Sequence, residues 1–308
     1  MEQWPILQRF WERALNPGFQ VDANDPVDRW REEAKLLNSL GIAMEIALQF
    51  LYFQKPDLDA FKQWLLENKK EGSEKPDPVP EDVLSVDDLV FWEKNGYLVL
   101  KNAVPKQQCV DAQYAIWEFL QATSDDPSSW YQSHAGKRGL MLNFFDHPAL
   151  DLNRQSARIH KAYQQLYGSN AIYKTIDKVS FTPPERENFH FEGSALHWDV
   201  SLIQPITFRL QGLLYLTDCG PDEGAFHCVP GFHHRIGDWL SALPRDANPR
   251  ELAPRLLDPI PIPAHAGDFV IWHRALPHCA TPNYGTSPRM VQYLTYLPEA
   301  DEEKKAWL

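Results

Sequence analysis

The chain has 308 residues, 44% hydrophobic and 23% charged, with a formal net charge of −12. At roughly 100–200 residues per domain this allows one large domain or two modest ones. No apolar run reaches the roughly 18 residues that a membrane span needs. The acidic balance is spread along the chain, which argues against a protein that tracks nucleic-acid phosphates. Cys109, Cys219, Cys228 and Cys279 form no C-x-x-C pair, so neither a zinc ribbon nor a disulfide framework is expected. Without a targeting signal at Met1–Pro5, the expected location is cytoplasmic.

Residues 1–75 read as a helical extension. Trp4, Leu7, Phe10, Trp11, Ala14 and Leu15 recur at helical spacing before the Asn16-Pro17-Gly18 break. A second helix is expected from Pro26 to Phe53, capped by Asp25, and a third over residues 58–68. A charged, proline-containing stretch over 69–80 marks the boundary, with a linker at 76–86 and a second domain over 87–308. There, Ser85 caps a helix ending at Asn95-Gly96, Tyr97–Leu100 is a short strand, and helices are expected over 106–121 and 156–167. Beyond Ala171, β-prone runs at 172–182, 195–200, 207–216, 224–229, 268–272 and 290–297 alternate with Pro and Gly breaks. That rhythm suggests a sandwich, barrel or jelly roll. No G-x-G-x-x-G or P-loop supports a nucleotide fold.

The triplet His197-Trp198-Asp199 carries the most chemical information. In an extended segment, residues two apart face the same side, so an imidazole and a carboxylate would converge while Trp198 turns away. His278, after the Gly267–Trp272 turn and strand, is the best third donor. Two imidazoles and one carboxylate on one face of an octahedral ion leave three open positions, the arrangement of non-haem Fe(II) oxygenases. Eleven residues on, Arg289 offers a two-pronged guanidinium for a carboxylate. An H-x-D triplet alone arises often by chance; the ordered set H-x-D, His and Arg is more specific. His190, His227, His233, His234, His265 and His273 are read as structural.

Several segments resemble, in order, the phytanoyl-CoA dioxygenase-like family of Fe(II)/2-oxoglutarate oxygenases. Residues 84–100 are similar to its opening helix and NGYLVL strand, 178–184 to the strand before H-x-D, 211–218 to the strand after it, and 224–233 to its VPG-containing segment. Asn283 lies five after His278, and the likeness covers 84–298. The resemblance implies an α+β protein with a double-stranded β-helix (jelly roll, cupin-like) core, flanking helices and a helical N-terminal extension. It implies His197, Asp199 and His278 as iron ligands and catalytic centre, with Arg289 on the far carboxylate of 2-oxoglutarate. Lys178, Gln211 and Thr281 are further expected co-substrate contacts. Leu213, Phe232 and Ala280 depart from the family pattern.

The implied cofactors are Fe(II), 2-oxoglutarate and dioxygen, and the implied reaction hydroxylates an unactivated C–H bond of a small metabolite with release of succinate and CO2. Desaturation, oxidative cyclisation and a non-catalytic binding role are alternatives on the same ligand set. Asp199, present where halogenases have Gly or Ala, favours hydroxylation over chlorination. Arg209, on the face of Gln211, is open to two readings: an anionic substrate contact or a salt-bridge partner. Trp130, Tyr131, His134 and Arg138 read equally as a lid or as an ordinary loop. The aromatic faces containing Trp4, Phe10, Trp11, Trp30, Phe50, Tyr52, Phe53, Phe61 and Trp64 are expected either to cover the β core or to serve a homodimer or carrier-protein contact.

Overall fold

The computed structural model describes residues 4–16, 29–70, 81–191 and 193–300. In chain order the helices and strands are α1 Trp4–Leu15, α2 Arg29–Ser39, α3 Met44–Gln54, α4 Leu58–Asn68, α5 Val86–Asn95, β1 Tyr97–Leu100, α6 Lys106–Leu120, β2 Lys137–Arg138, β3 Met141–Leu142, α7 Pro148–Arg154, α8 Ala157–Tyr167, β4 Ile172–Lys174, β5 Val179–Thr182, β6 Leu210–Tyr215, β7 Phe226–Cys228, α9 Ile236–Ala242, α10 Pro249–Leu256, β8 Ile260–Ile262, β9 Phe269–His273, β10 His278–Ala280, β11 Arg289–Tyr293 and β12 Tyr296–Pro298. No single helix among the described residues is long and apolar enough to cross a membrane.

The chain forms two units, one of the described residues up to Lys75 with Ala171–Ile176 and those from Leu297 on, the other of the rest. In the first, Leu7, Phe10, Leu36, Leu37, Leu51, Phe61 and Leu65 meet in one apolar cluster. Trp4, Trp11, Phe50 and Trp64 pack partly buried against it, so most of the N-terminal aromatic residues fill this unit's own core. Trp30, Tyr52 and Phe53 stay exposed. The helix expected over 26–53 is instead two, α2 and α3, bent by 101° at the intervening loop. Gly41 supplies the bend with φ +75, a left-handed conformation that costs other residues dearly. The expected cap Asp25 and residues 71–80 lie outside the described residues.

The second unit is an antiparallel α+β structure. A seven-stranded sheet runs β1-β9-β6-β11-β5-β3-β2, and a three-stranded sheet runs β10-β7-β8. Helix α5 starts as read: Ser85 accepts from the Asp88 amide while Asp88 accepts from the Ser85 amide, and Gly96 ends it at φ 72. The register of the large sheet puts Thr182 beside Arg289, Ser180 and Tyr215 beside Val291, Leu213 beside Tyr293 and Val270, and Gln211 beside Trp272. Directly opposed residues share a face, so these side chains line one side of the sheet. On the other side Phe181 meets Trp117 of α6 and Phe269 meets Tyr163 of α8, so helices cover it. The lined face shares a single buried cluster with Phe226, Cys228 and Ile262 of the small sheet.

The β-prone runs 172–182 and 290–297 each divide into two strands, β4 with β5 and β11 with β12. Residues 195–200 do not form a regular strand; only His197 bridges to His278. Helices α7, α9 and α10 were not apparent from the sequence; each is only seven or eight residues long, and proline begins α7 and α10.

Candidate active site

The bridge that replaces the expected strand is what brings the two imidazoles together. His197 and His278 exchange backbone hydrogen bonds of 3.0 Å in both directions, and their rings lie 4.6 Å apart. Each ring faces its Nδ1 to a backbone carbonyl, of Ala195 at 2.8 Å and of Leu276 at 3.2 Å. Those contacts call for a proton on each Nδ1, so the two Nε2 atoms, which face Asp199 here, are the ones that would ligate a metal at a shared centre. Asp199 completes the group, with Oδ1 3.5 Å from His197 Nε2 and Oδ2 3.2 Å from His278 Nε2. One ligand atom from each of the three residues lies within 4.8 Å of the others, a set able to hold a metal ion.

Partial burial works against ionisation of Asp199, yet hydrogen bonds from His197 and His278, with Gln211 Nε2 at 2.9 Å from Oδ2, hold its carboxyl well below the usual range. The same contact with Asp199, against the opposing effect of burial, raises His197. Trp198 turns away as expected: its Nε1 donates to Ala275 O at 2.9 Å, and its ring packs near Phe232 and Trp239. Phe232, one of the departures from the family pattern, is thus part of the apolar backing of the H-x-D segment.

Arg289 begins β11 on the same inner face of the sheet as Gln211. It is 3% exposed, and its Nε and Nη1 are buried without a hydrogen-bond partner. Ser180 Oγ, Thr182 Oγ1, Gln211 Oε1 and Trp272 Nε1, all on that face, are likewise buried and unmatched. Native interiors leave few such groups without cause, and a buried guanidinium is the most costly to leave so. Together they form a polar lining of the kind that a small anion with further oxygen atoms would satisfy. Gly224 fits closely here: a Cβ at that position would lie 3.4 Å from Arg289 Cδ and 3.4 Å from the Thr281 carbonyl.

The remaining expected residues divide. Gln211 reaches the triad directly. Thr281 reaches the Arg289 region through its backbone beside Gly224. Lys178 accepts from Tyr293 N at 3.0 Å, and its ammonium lies 5.5 Å from the Phe145 ring. Arg209 is buried beside Arg274, whose amide donates to its carbonyl at 3.0 Å. Trp130 and Tyr131 end the short 3-10 helix Pro127–Tyr131, where Trp130 is fixed by a 2.7 Å bond to Thr123 O and Tyr131 by one of 3.0 Å to Pro184 O, and His134 accepts from the Gly136 amide. Arg138 is exposed in β2. Ser180, Thr182 and Trp272 were not singled out from sequence; only the strand register shows that they share a face with Arg289.

The sequence model of the phytanoyl-CoA dioxygenase (PhyH) family matches residues 92–291, a span that contains the triad and Arg289. The chain belongs to the phytanoyl-CoA dioxygenase family. It is accordingly an oxidoreductase of the non-haem iron- and 2-oxoglutarate-dependent kind. Among similar proteins, a putative phytanoyl-CoA dioxygenase of Dictyostelium discoideum is 20% identical over 68% of this chain and 74% of its own. An ectoine dioxygenase of Bordetella bronchiseptica is 24% identical over 54% of each chain, about half its length. The crystal structure of SnoK, a non-heme alpha ketoglutarate dependent carbocyclase from nogalamycin biosynthesis, is similar in fold, with a TM-score of 0.52 and 18% identity over 71% of this chain and 87% of that one.

Proposed function

We propose that His197, Asp199 and His278 hold Fe(II), that Arg289 anchors the far carboxylate of 2-oxoglutarate, and that the protein hydroxylates a C–H bond of a small metabolite. The balanced reaction takes substrate, 2-oxoglutarate and dioxygen to the alcohol, succinate and CO2. The two sheets are read as the halves of a double-stranded β-helix: β9-β6-β11-β5 on one side, and β8-β7-β10 extended by the His197 bridge on the other. The observation that carries the reading is the buried guanidinium of Arg289 with two unmatched nitrogens, on the same inner face as Gln211, which contacts the triad.

Bound iron would supply dioxygen activation. The protein supplies the rest. The Nδ1 contacts with Ala195 and Leu276 fix both imidazoles as Nε2 donors, and Gln211 orients one oxygen of Asp199. Arg289 sets the direction of the keto-acid by a bidentate ion pair whose strength rises in a buried, water-poor site. Thr182 and Ser180 are placed on the neighbouring strand to donate to the same anion, with Lys178 and Thr281 as further contacts.

Anaerobic titration with Fe(II) and then 2-oxoglutarate tests this through the weak visible charge-transfer band of keto-acid chelation. The band should appear with the unaltered protein and be absent from His197→Ala. Iron binding without the band would exclude 2-oxoglutarate as the co-substrate, and failure to bind iron would remove the ligand assignment.

A further inference from the structure

We infer that Arg250, from a helix fifty residues further along the chain, is the residue that holds the H-x-D turn in its ligating shape. This rests on the proposed role of Asp199 as a ligand. The turn needs outside support, because residues 198–200 belong to no strand and have no ladder of sheet hydrogen bonds to fix them. Arg250 supplies it in a two-pronged form. Its Nη1 donates to Trp198 O at 2.7 Å and its Nη2 to Val200 O at 2.6 Å, so one planar guanidinium grips the carbonyls on either side of Asp199.

The grip is itself anchored. Arg250 is the second residue of α10, where Pro249 starts the helix and Asn248 Oδ1 accepts the Arg250 amide at 3.0 Å. Asn248 is in turn held by a 2.9 Å bond to Glu251. On the opposite side of the turn, the indole of Trp198 is fixed to Ala275 O. Between these two anchors the backbone at Asp199 has little freedom to rotate its carboxylate out of the triad. Arg250 touches neither the imidazoles nor the interior polar lining through any of these bonds. It is therefore a positioning residue, acting through the two carbonyls. A lysine reaches only one carbonyl at a time and cannot reproduce the fork.

The test compares Co(II) binding, as a spectroscopic stand-in for Fe(II), by the unaltered apoprotein and by the Arg250→Met, Arg250→Lys and Arg250→Ala variants. Partners that orient metal ligands typically contribute about 10–100-fold to metal affinity. Arg250→Met is expected to weaken Co(II) binding by that factor, with Arg250→Lys intermediate. Added methylguanidinium should restore affinity to Arg250→Ala, a rescue that a merely unfolded variant would not show. Amide hydrogen exchange at 199–201 should quicken selectively. Unchanged Co(II) affinity in Arg250→Met would overturn the inference while leaving the ligand assignment standing. Weakened binding that neither methylguanidinium nor lysine restores, with exchange quickened across the whole unit, would also overturn it. Failure of the unaltered protein to bind Co(II) would remove the ligand assignment and this inference together.

Discussion

The helical unit and the β unit each bury a charged side chain almost completely, and they treat it in opposite ways. In the helical unit Glu33, with its side chain 1% exposed, is met by Arg13 and by Arg9 Nε at 3.2 Å. Burial raises Glu33 while the two guanidinium groups lower it, and the first effect is the larger. All of its partners come from the chain itself. In the β unit Arg289 is 3% exposed and has two nitrogens without a partner, among four further unmatched polar atoms on the same face. Comparable burial therefore means different things. A charge closed off by its own chain reports structure, whereas the two unmatched nitrogens of Arg289 in a polar-lined interior are what the proposed 2-oxoglutarate anchor rests on.

The contrast is sharpest in paired stability measurements. Arg289→Met should leave the ligand-free protein as stable as before, or more so, since an unmatched buried charge is replaced by an apolar side chain of similar reach. It should, however, remove most of the further stabilisation that 2-oxoglutarate gives the iron-loaded protein, which for the unaltered protein amounts to about 2.7 kcal/mol at a hundredfold excess over Kd. A large loss of ligand-free stability in Arg289→Met, measured by thermal unfolding, would mean that its own chain already satisfies the guanidinium. Glu33→Ala should do the reverse. It leaves Arg9 and Arg13 facing an apolar interior and should cost about 2 kcal/mol, less than a fully buried pair because both arginines are partly exposed. The charge-transfer response of the β unit should be unaffected.

His273 shows a third treatment of an ionisable group, set partly in the interior, which is to keep it neutral. Burial, followed by the nearby His233, Arg274 and His234 charges, pushes it down to about 3, and its Nδ1 accepts the Ala275 amide at 2.9 Å. An unfolded histidine takes up a proton near its ordinary value of 6.5, whereas the folded one does so only near 3. Between those values the unfolded state holds more protons. Stability contributed by neutral His273 is therefore complete above pH 6.5 and lost progressively as the pH falls toward 3. His273→Asn, which can still accept the Ala275 amide, should flatten that part of the pH–stability curve; an unaltered slope would mean that the loss at acid pH comes from other groups.

What the sequence made legible follows the same physical division. The H-x-D triplet and His278 stand out by their spacing, and these three side chains do converge in space; Arg289 stands out by its place eleven residues on, and its role is the proposal made above. Gln211 comes with the family resemblance as a co-substrate contact, and in the structure its amide bonds Asp199. Ser180, Thr182 and Trp272 could not be read from the sequence, since common residue types become informative only once register shows them beside Arg289 and the triad. Arg250 left no local signal, because its partners are two backbone carbonyls about fifty residues away. The H-x-D segment was read as a strand from its β-prone residues, but a single bridge and an arginine fork do the work of a ladder there. Periodicity likewise found the apolar face of α2 and α3 but ran across the break between them, since both helices feed the same cluster.

That break yields the smallest of the expected effects. Gly41 has φ +75, and a Cβ there would come within 2.8 Å of Lys70 Cβ, closer than real side chains approach. The position is also held by the backbone: Gly41 donates to Asn38 O at 3.0 Å, and Lys70 donates to Leu40 O at 3.0 Å, tying the bend to the end of α4. Gly41→Ala should therefore destabilise the helical unit by about 1–2 kcal/mol, the cost of a left-handed residue with a side chain, with any further cost set by how far Lys70 shifts. Proteolysis should quicken between α2 and α3 in that variant. If instead it were as stable as the unaltered protein, α2 and α3 would have to tolerate a straighter path between them, and the uninterrupted helix suggested by periodicity would be within reach of this sequence.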